Sequence, residues 1–377
     1  MAPRYDVVVA GLGAMGSAAA YHLARRGRRV LGVEQFTIPH DMGSSHGESR
    51  IIRQAYFEGP GYVPFVLRAY ELWRELEEVS GERLLQITGG LDAGFEASRV
   101  VQGSLRSCRE HGLAHELLTS KEISRRFPGY QLPPWAVAVF QPDSGLLAPE
   151  RCITAHVRGA RAHGAEIHEG ERVLDWERRA GGVRVRTAAS EYEADRLVIT
   201  AGAWVSKLVK ELRGLAVPER QVVAWFRPSE PALFQPGRFP IFIYAADDGP
   251  GWYGVPSFGI EGLKVGLHQQ GRGEDDPDTM NRACSAADVA PLRAFVEECF
   301  PRCGGEMLAM KSCIYTTTPD THFVIDLHPE APEVVVASPC SGHGFKFSSV
   351  IGEAIADLAE HGATAHDLSM FRLGRFF

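Results

Sequence analysis

The sequence lacks the marks of membrane, exported and nucleic-acid-binding proteins. Its longest apolar run, residues 7–20, is interrupted by glycines and is shorter than the roughly 20 residues that cross a bilayer as a helix. No basic, apolar and small-residue leader opens the chain, no peroxisomal tripeptide closes it, and no basic run exceeds RRGRR at residues 25–29. With a net charge of −7, these absences predict no membrane partner, no nucleic acid partner and a cytoplasmic location.

Cysteine is scarce and scattered. Seven residues cannot all pair, which argues against a disulfide framework. Cys299 and Cys303 have a spacing that could serve a metal, but no second Cys or His pair of matching spacing completes four ligands. We therefore predict no metal site, and we interpret most of the cysteines as small buried hydrophobic residues. From the residues alone, Cys313 is an unpaired thiol of this kind.

The composition is that of a folded protein with more than one structural unit. Charged residues make up 23% and hydrophobic residues 45% of the chain, as is ordinary for a globular protein. The 377 residues exceed what one hydrophobic core usually organises, and no internal repeat or low-complexity linker divides them. Two domains, or two interleaved domains, are predicted.

The amino-terminal segment has the pattern of a dinucleotide-binding βαβ unit. A buried strand (Asp6 to Ala10) leads through a glycine turn into a helix (about Met15 to Arg26) and a second strand that ends at Glu34. Gly11, Gly13 and Gly16 fit G-x-G-x-x-G directly after the strand.

Each of these glycines has a physical purpose. Gly11 permits a tight turn, Gly13 lets the backbone approach a pyrophosphate, and Gly16 lets the helix pack closely on the strand. A carboxylate at Glu34 can accept hydrogen bonds from a ribose and disfavours a 2′-phosphate. The unit therefore predicts FAD or NAD rather than NADP.

Downstream, a sheet-rich insertion interrupts the nucleotide domain. Parallel strands are predicted in GERVLDWERR (170–179) and YEADRLVITAGAW (192–204), and a strand, glycine loop and helix return at 333–362. A helix is predicted from Val63 to Val79, and alternating strands occur in segments such as GLKVGLHQQG (262–271). We predict an α/β, two-domain fold in which a Rossmann-like domain (1–85, 148–220 and 314–377) is interleaved with an antiparallel-sheet-rich substrate domain (86–147 and 221–313). This plan suits FAD, whose length would lie between the two domains.

The chain resembles the monomeric sarcosine oxidase family of covalent FAD amine oxidases, which includes N-methyltryptophan and pipecolate oxidases in the glycine/D-amino-acid oxidase superfamily. The resemblance covers nearly the whole length. Besides the glycine unit, it is carried by GSSHGESRIIRQAY (43–56), LVITAGAW (197–204), WYGVPSFGIEGLKVG (252–266), CIYTTTPDTHFVIDLHP (313–329) and SGHGFKFSSVIGE (341–353).

This resemblance implies an FAD-dependent oxidase that acts on a small secondary amino acid and O2. Sarcosine is the first expectation, with hydride transfer to flavin N5 giving glycine, formaldehyde and hydrogen peroxide. N-methyltryptophan, pipecolate and proline are the alternative substrates, and a monomer is expected. Substrate size would be measured by walls in segments such as FPIFIYAADDGPGW (239–252), where Tyr244 is a candidate for the pocket floor.

The resemblance also assigns the reactive positions. Cys313 corresponds to the cysteine that forms a thioether with the 8α-methyl of FAD, and a thiolate is the nucleophile that such a bond needs. Lys264 corresponds to the oxygen-activating lysine, whose charge favours electron transfer to O2. Arg50 resembles the arginine beside the flavin ring.

Substrate recognition follows in the same way. Arg53 and Lys346 correspond to the pair that binds the substrate carboxylate, one with a planar fork and one with a point charge. Tyr253 and His268 correspond to residues that line the pocket and take part in catalysis and substrate binding. Ser45 departs from the second histidine common in the bacterial sarcosine enzymes, which puts in doubt any role that needs two histidines.

The remaining implied positions hold FAD. The ADP portion would contact the three glycines and Glu34, and the backbone of Val173 would meet the adenine. The helix that begins near Ser348 would direct its positive end at the pyrimidine edge of the flavin. The full set of implied cofactor-binding residues is Gly11, Gly13, Gly16, Glu34, Ser44, His46, Arg50, Val173, Gly202, Cys313, Gly342, Gly344, Phe345 and Lys346.

Two other classes of protein share part of this pattern. The βαβ unit alone would permit an NAD-dependent dehydrogenase, and the glycines alone would permit a nucleotide-binding scaffold without activity. Neither class has a reason to combine Cys313, Lys264, Arg53 and Lys346, so the oxidase is favoured.

Overall fold

The structure, a computed structural model, describes residues 4–246, 251–268 and 276–377. Parts of two segments singled out above, residues 247–250 of 239–252 and residues 269–271 of 262–271, lie outside the described residues. The α-helices are α1 (Ala14–Arg25), α2 (Val63–Ser80), α3 (Arg99–His111), α4 (Ser120–Arg126), α5 (Pro149–Ala162), α6 (Val205–Leu208), α7 (Ala286–Cys299) and α8 (Ser348–His361). The strands are β1 (Arg4–Ala10), β2 (Val30–Glu34), β3 (Arg50–Ile52), β4 (Leu85–Ile87), β5 (Gly90–Gly94), β6 (Glu116–Thr119), β7 (Val137–Gln141), β8 (Gly145–Leu147), β9 (Glu166–Glu169), β10 (Val173–Arg179), β11 (Gly182–Thr187), β12 (Glu191–Ile199), β13 (Val217–Phe226), β14 (Ile241–Ala245), β15 (Gly251–Val255), β16 (Leu263–His268), β17 (Met307–Thr317), β18 (Val324–His328) and β19 (Ala331–Ser338).

The first large sheet has a parallel centre made from distant parts of the chain. β9, β2, β1 and β12 lie side by side and run parallel, and β19 adds to the carboxyl half of β12. The last βα unit, β19 and α8, therefore completes the nucleotide sheet that β1 begins. The predicted α/β class and Rossmann-like start are confirmed.

The strand predicted in GERVLDWERR is present as β10, but its predicted parallel pairing is wrong. β10 pairs antiparallel with β11, because a tight turn through Gly181 (φ 81°) joins them and a turn this short cannot bring two strands parallel. The parallel neighbour of β2 is β9, four residues that precede the predicted segment.

Small residues let α1 and α8 pack closely against one another behind this sheet. Ala18, Ala19 and Ala20 of α1 are fully buried. A Cβ at Gly352 of α8 would lie only 2.6 Å from the carbonyl carbon of Ala18, so no larger residue fits there without movement.

The second large sheet runs in the order β17-β13-β16-β15-β14-β5-β7-β6. Its neighbours are antiparallel except for β14 and β5, which are parallel. One of its faces is covered by a phenylalanine-rich core that includes Phe226, Phe242, Phe295 and Phe300. Its other face contributes to the cavity described below, so alternate residues of the same strands serve the core and the site.

A short three-stranded sheet has the order β3-β8-β4, and the chain continues from β3 into the loop that carries Arg53. No helix in the described ranges is long and apolar enough to cross a membrane.

Candidate active site

One large cavity lies between the two sheets. It has a volume of about 1030 Å³ and extends from the Gly11 turn and Glu34 to Lys264, Cys313 and Lys346. Its walls come from both large sheets and from the segment between β2 and β3.

At the nucleotide end, the glycine turn has the predicted geometry. Gly11 has φ 92°, a backbone conformation that favours glycine. A Cβ at Gly16 would overlap the carbonyl oxygen of Gly11, so Gly16 serves the packing of α1 and does not line the cavity. Glu34 accepts hydrogen bonds from the backbone N–H of Leu12 (2.8 Å) and of Phe36 (3.1 Å), which fixes its carboxylate at the cavity wall.

The structure brings the other predicted site residues together around this cavity. The residues that line it are Gly11, Gly13, Glu34, Ser44, His46, Arg50, Arg53, Val173, Gly202, Tyr253, Lys264, His268, Cys313, Gly342, Gly344, Phe345 and Lys346. Tyr244 lies elsewhere. Its ring packs against Phe295 and Trp135 on the core side of β14, whereas its neighbours Ile243 and Ala245 face the cavity.

Several cavity groups fit a large anionic cofactor such as FAD. The Ser44 hydroxyl and both ring nitrogens of His46 are buried without a hydrogen-bond partner in the described part of the chain. Burial lowers the pKa of His46 to about 3, with Arg50 and Lys264 adding to the effect, so this ring is neutral and can both donate and accept. Unmet polar groups beside fixed cations are what a diphosphate or a flavin ring edge would satisfy.

Cys313 lies on β17 within reach of several positive charges. Burial raises the pKa of its thiol, while Arg50, Lys264 and Arg220 oppose that rise. The cations therefore favour the thiolate in a site that would otherwise suppress it.

Lys264 lies on β16, opposite Trp225 of β13, and is 3% exposed. Its Nζ donates to the carbonyl oxygens of Gly47 (2.7 Å) and Ser49 (2.9 Å) and to the Ser49 hydroxyl (3.3 Å). Burial and the adjacent Arg50 lower its pKa. Because three acceptors match the three N–H donors of an ammonium, the contacts support the charged form.

Arg53 is 1% exposed and is held from several sides. Its Nη2 donates to both oxygens of Glu58 at 2.8 and 2.6 Å, and its Nη1 donates to the carbonyl oxygen of Ala55 at 2.7 Å. Its guanidinium also lies over the ring of Tyr56, 4.2 Å from the centroid. Although burial opposes ionisation of Glu58, Arg53 lowers the pKa of this carboxyl to about 2, so the pair is ionic.

Lys346 contacts Arg53's neighbour Tyr56. Its Nζ donates to the Tyr56 hydroxyl (3.2 Å) and to the carbonyl oxygen of His343 (2.7 Å). Nε2 of His343 meets the carbonyl oxygen of Thr321 at 3.0 Å and must therefore carry the ring proton. Nδ1 of His343 then accepts from the Tyr56 hydroxyl at 2.6 Å, which leaves the Tyr56 oxygen free to accept from Lys346. Burial and Arg53 lower the pKa of Lys346 to about 7.

Tyr253 and His268 meet around a residue that sequence reasoning missed. Nδ1 of His268 lies 3.2 Å from the hydroxyl of Tyr315, whose ring lines the cavity. Burial raises the pKa of Tyr253 to about 12 and lowers the pKa of His268, so both groups are uncharged near neutrality.

Four residues of the site were missed from sequence. Tyr56, His343 and Tyr315 lie inside motifs that were singled out, so their positions in those motifs could have drawn attention to them. Glu58 follows its motif by two residues and has no such signal.

A dinucleotide-sized cavity between a Rossmann-like sheet and an antiparallel-rich sheet defines a flavin-binding type of oxidoreductase. Comparison with known proteins agrees, since the family model "FAD dependent oxidoreductase" matches residues 6–358. A monomeric sarcosine oxidase of Streptomyces avermitilis is 45% identical over 375 residues, covering 98% of this chain and 97% of that protein. An N-methyl-L-tryptophan oxidase of Salmonella dublin is 36% identical over 374 residues, covering 99% of each. Among solved structures, NikD, an amino acid oxidase essential for nikkomycin biosynthesis, superposes with a TM-score of 0.85 at 26% identity, covering 98% of this chain and 97% of that one.

The chain belongs to the FAD-dependent oxidoreductase family, within the group that includes the monomeric sarcosine oxidases. The predicted family, enzyme class and use of FAD are confirmed. Among the described residues no group of three or more His, Cys, Asp or Glu could hold a metal ion.

Proposed function

We propose that the protein oxidises a secondary amino acid, first of all sarcosine, with O2 and water to glycine, formaldehyde and hydrogen peroxide. The observation that carries this proposal is the pair of buried cations, Arg53 and Lys346, at the end of the cavity that also holds Cys313 and Lys264. A fork and a point charge side by side match the carboxylate of an amino acid.

The chain's own residues would prepare the substrate by position and charge. With the carboxylate on Arg53 and Lys346, the amine and its methyl group would lie toward Tyr253, His268 and Tyr315, which are uncharged. Neutral neighbours favour the free amine over the ammonium, because a buried charge there would have no partner. Because the substrate would be held in position and its amine would already be deprotonated, little would remain for a side-chain base to do.

FAD would be held by the glycine turn and Glu34 at one end and by Cys313 at the other. When bound, it supplies a two-electron oxidant that takes a hydride equivalent from the methyl carbon and is reoxidised by O2. Lys264 would stabilise negative charge that develops on oxygen during reoxidation.

We propose that Cys313 binds FAD covalently through a thioether to the 8α-methyl group. Forming this C–S bond removes one hydrogen from the thiol and one from the methyl group, and O2 accepts both as hydrogen peroxide. The cations near Cys313 support the thiolate that this reaction needs.

The same proposal assigns some segments of the chain to the cofactor and others to the substrate. Residues 1–85, 148–220 and 314–377 would hold FAD, and residues 86–147 and 221–313 would provide most of the substrate and catalytic walls. The enzyme is proposed to act as a monomer in the cytoplasm, which size-exclusion chromatography and cell fractionation would test.

Two measurements test the function. The purified protein is precipitated with acid, and yellow colour should remain in the pellet; a colourless pellet would contradict covalent attachment. Anaerobic mixing with sarcosine, N-methyl-L-tryptophan, pipecolate and proline should bleach the flavin, fastest with sarcosine. No bleaching with any of the four would refute the oxidase, and a faster reaction with another would change the substrate.

A further inference from the structure

A buried carboxylate outside the cavity is connected to the carboxylate-binding arginine. Asp92 lies on β5, is 0% exposed and does not line the cavity. Its Oδ2 accepts hydrogen bonds from the Ser104 hydroxyl (2.6 Å) and from Nε2 of Gln141 (2.9 Å). Its Oδ1 has no hydrogen-bond partner among the residues that the structure describes.

Both neighbours donate to one oxygen of this carboxyl group, so Oδ2 serves as the acceptor whether or not Oδ1 carries a proton. Burial raises the pKa of Asp92, and the positive charge of Arg53 opposes this rise. A buried acid retained in this way needs a structural or functional reason, because an apolar residue would cost less to bury.

Gln141 connects Asp92 to the segment of residues 53–58, which we name the substrate loop. Its Oε1 accepts from the backbone N–H of Ala55 at 2.7 Å, and the carbonyl oxygen of Ala55 accepts from Nη1 of Arg53. The orientation of the Gln141 amide is therefore set: a flipped amide would face the Ala55 N–H with its own N–H groups.

Helix α3 holds the same loop from a second side. The Ser107 hydroxyl donates to the carbonyl oxygen of Tyr56 at 2.6 Å. At Gly103, an added Cβ would lie 2.5 Å from the carbonyl oxygen of Phe57, so helix and loop are in close contact. The substrate loop thus rests on a platform of β5, β7 and α3, to which Asp92 contributes its carboxyl group.

We propose that Asp92 is a positioning residue for substrate recognition: through Gln141 and the Ala55 peptide it holds Arg53 in place for the substrate carboxylate. The inference rests on the proposed role of Arg53. It assigns to Asp92 no contact with substrate or cofactor, and it predicts an effect on carboxylate binding that does not extend to the oxidation step.

The first test compares two substitutions of Asp92. In Asp92→Ala, Gln141 loses its acceptor, and the dissociation constant for acetate and the KM for sarcosine should rise about tenfold, equivalent to ~1.4 kcal/mol. The rate of flavin reduction at saturating sarcosine should stay within about twofold, because the reacting groups are unchanged. In Asp92→Asn, one carbonyl oxygen can still accept from both Ser104 and Gln141, so binding should stay near that of the unaltered enzyme.

A double-mutant cycle tests whether Asp92 acts on Arg53 through Gln141. Gln141→Ala should weaken acetate binding as much as Asp92→Ala, and the double variant should be no worse than either, because both break one connection. Gln141→Ala also carries the test if Asp92→Ala does not fold. Ser120→Ala is the matched control: it removes a buried hydrogen bond to the carbonyl oxygen of Leu132, away from the cavity, and should leave acetate binding unchanged.

The outcomes separate this inference from the proposed function. Acetate binding is followed by the change it makes in the flavin spectrum, so no turnover is needed. If the unaltered enzyme binds acetate and oxidises sarcosine while Asp92→Ala binds acetate equally well, the inference is wrong and the function stands. Equal damage in Asp92→Asn and Asp92→Ala, or additive losses in the double variant, would also overturn it. If the unaltered enzyme neither binds acetate nor oxidises sarcosine, the proposed function itself fails.

Discussion

Carboxylate binding is expected to weaken as the pH rises above 7, because Lys346 then loses its proton. Its pKa is lowered to about 7 by burial and by the adjacent Arg53. Arg53 itself stays charged at all accessible pH values. Of the two cations, only Lys346 therefore changes charge, and it does so near neutral pH.

Four other groups around Lys346, namely Glu58, His343, His268 and Tyr56, keep their charge between pH 7 and pH 9. Glu58 has a pKa of about 2 and remains ionised, and His343 has a pKa of about 3 and remains neutral. Burial lowers the pKa of His268 and raises the pKa of Tyr56 well above its ordinary value, so neither changes charge in this range. Burial also shifts the pKa values of Lys264 and Asp92, and the Lys346→Met variant separates their effects from that of Lys346.

The direction and size of the pH effect follow from the linkage between proton binding and carboxylate binding. A bound carboxylate stabilises the ammonium and raises the pKa of Lys346, so binding above pH 7 takes up a proton. The dissociation constant then grows by at most about tenfold for each pH unit, and by about fiftyfold between pH 7 and pH 9, because half of Lys346 is already deprotonated at pH 7. At pH 8, close to one proton, or ~0.9, should be taken up for each carboxylate bound.

Acetate serves as the probe because it has a carboxylate and no amine to titrate. Its affinity is measured from the flavin spectrum between pH 6 and pH 9, and proton uptake is measured by calorimetry in two buffers of different ionisation enthalpy. Lys346→Met should bind acetate weakly and without this pH dependence. A flat profile in the unaltered enzyme, or the same slope in Lys346→Met, would refute the assignment.

The remaining predictions concern the other charged and reactive positions. Lys264→Met should slow reoxidation of reduced flavin by O2 by about a hundredfold or more and leave reduction largely intact; an unchanged oxygen reaction in stopped flow would contradict its role. Cys313→Ala should give protein whose flavin is released by acid, whereas Cys340→Ala, whose thiol lines the same cavity, should retain it. Glu58→Gln should tighten acetate binding by roughly tenfold, because a carboxylate that competes for Arg53 is replaced by a neutral amide; weaker binding would show that Glu58 supports Arg53 instead.

Local patterns predicted the local structure well. The first strand was placed at Asp6 to Ala10 and lies at Arg4–Ala10, and the helix from Val63 ends at Ser80, before Gly81 in a left-handed conformation. Hydrophobic period, glycines and caps act over a few residues, so a sequence displays them directly. The predicted parallel pairing of β10 was wrong, because pairing depends on the turn and on distant strands, which a strand's own residues do not specify.

The same difference between local and distant contacts applies to the active site. Most of the charged groups that face the cavity were predicted through motifs, but Glu58, His343 and Tyr315, which also line it, were not. Tyr56 and His343 are 287 positions apart, and Asp92 and Gln141 are 49 apart. No periodicity connects such pairs, and only the folded chain brings them within hydrogen-bond distance.

Charge balance in the substrate end is the clearest property that depends on the fold. When Lys346 is protonated, Arg53 and Lys346 bring two positive charges, and Glu58 brings a negative charge that is paired with Arg53. A carboxylate adds a further negative charge, which the cluster can accommodate if Glu58 yields its place on Arg53 or if Lys346 is kept protonated. The first route predicts tighter binding in Glu58→Gln, and the second predicts proton uptake above pH 7. The negative charge of Glu58 raises the pKa of Lys346, and Glu58→Gln removes this charge. In Glu58→Gln the fall in affinity should therefore begin at a lower pH than in the unaltered enzyme.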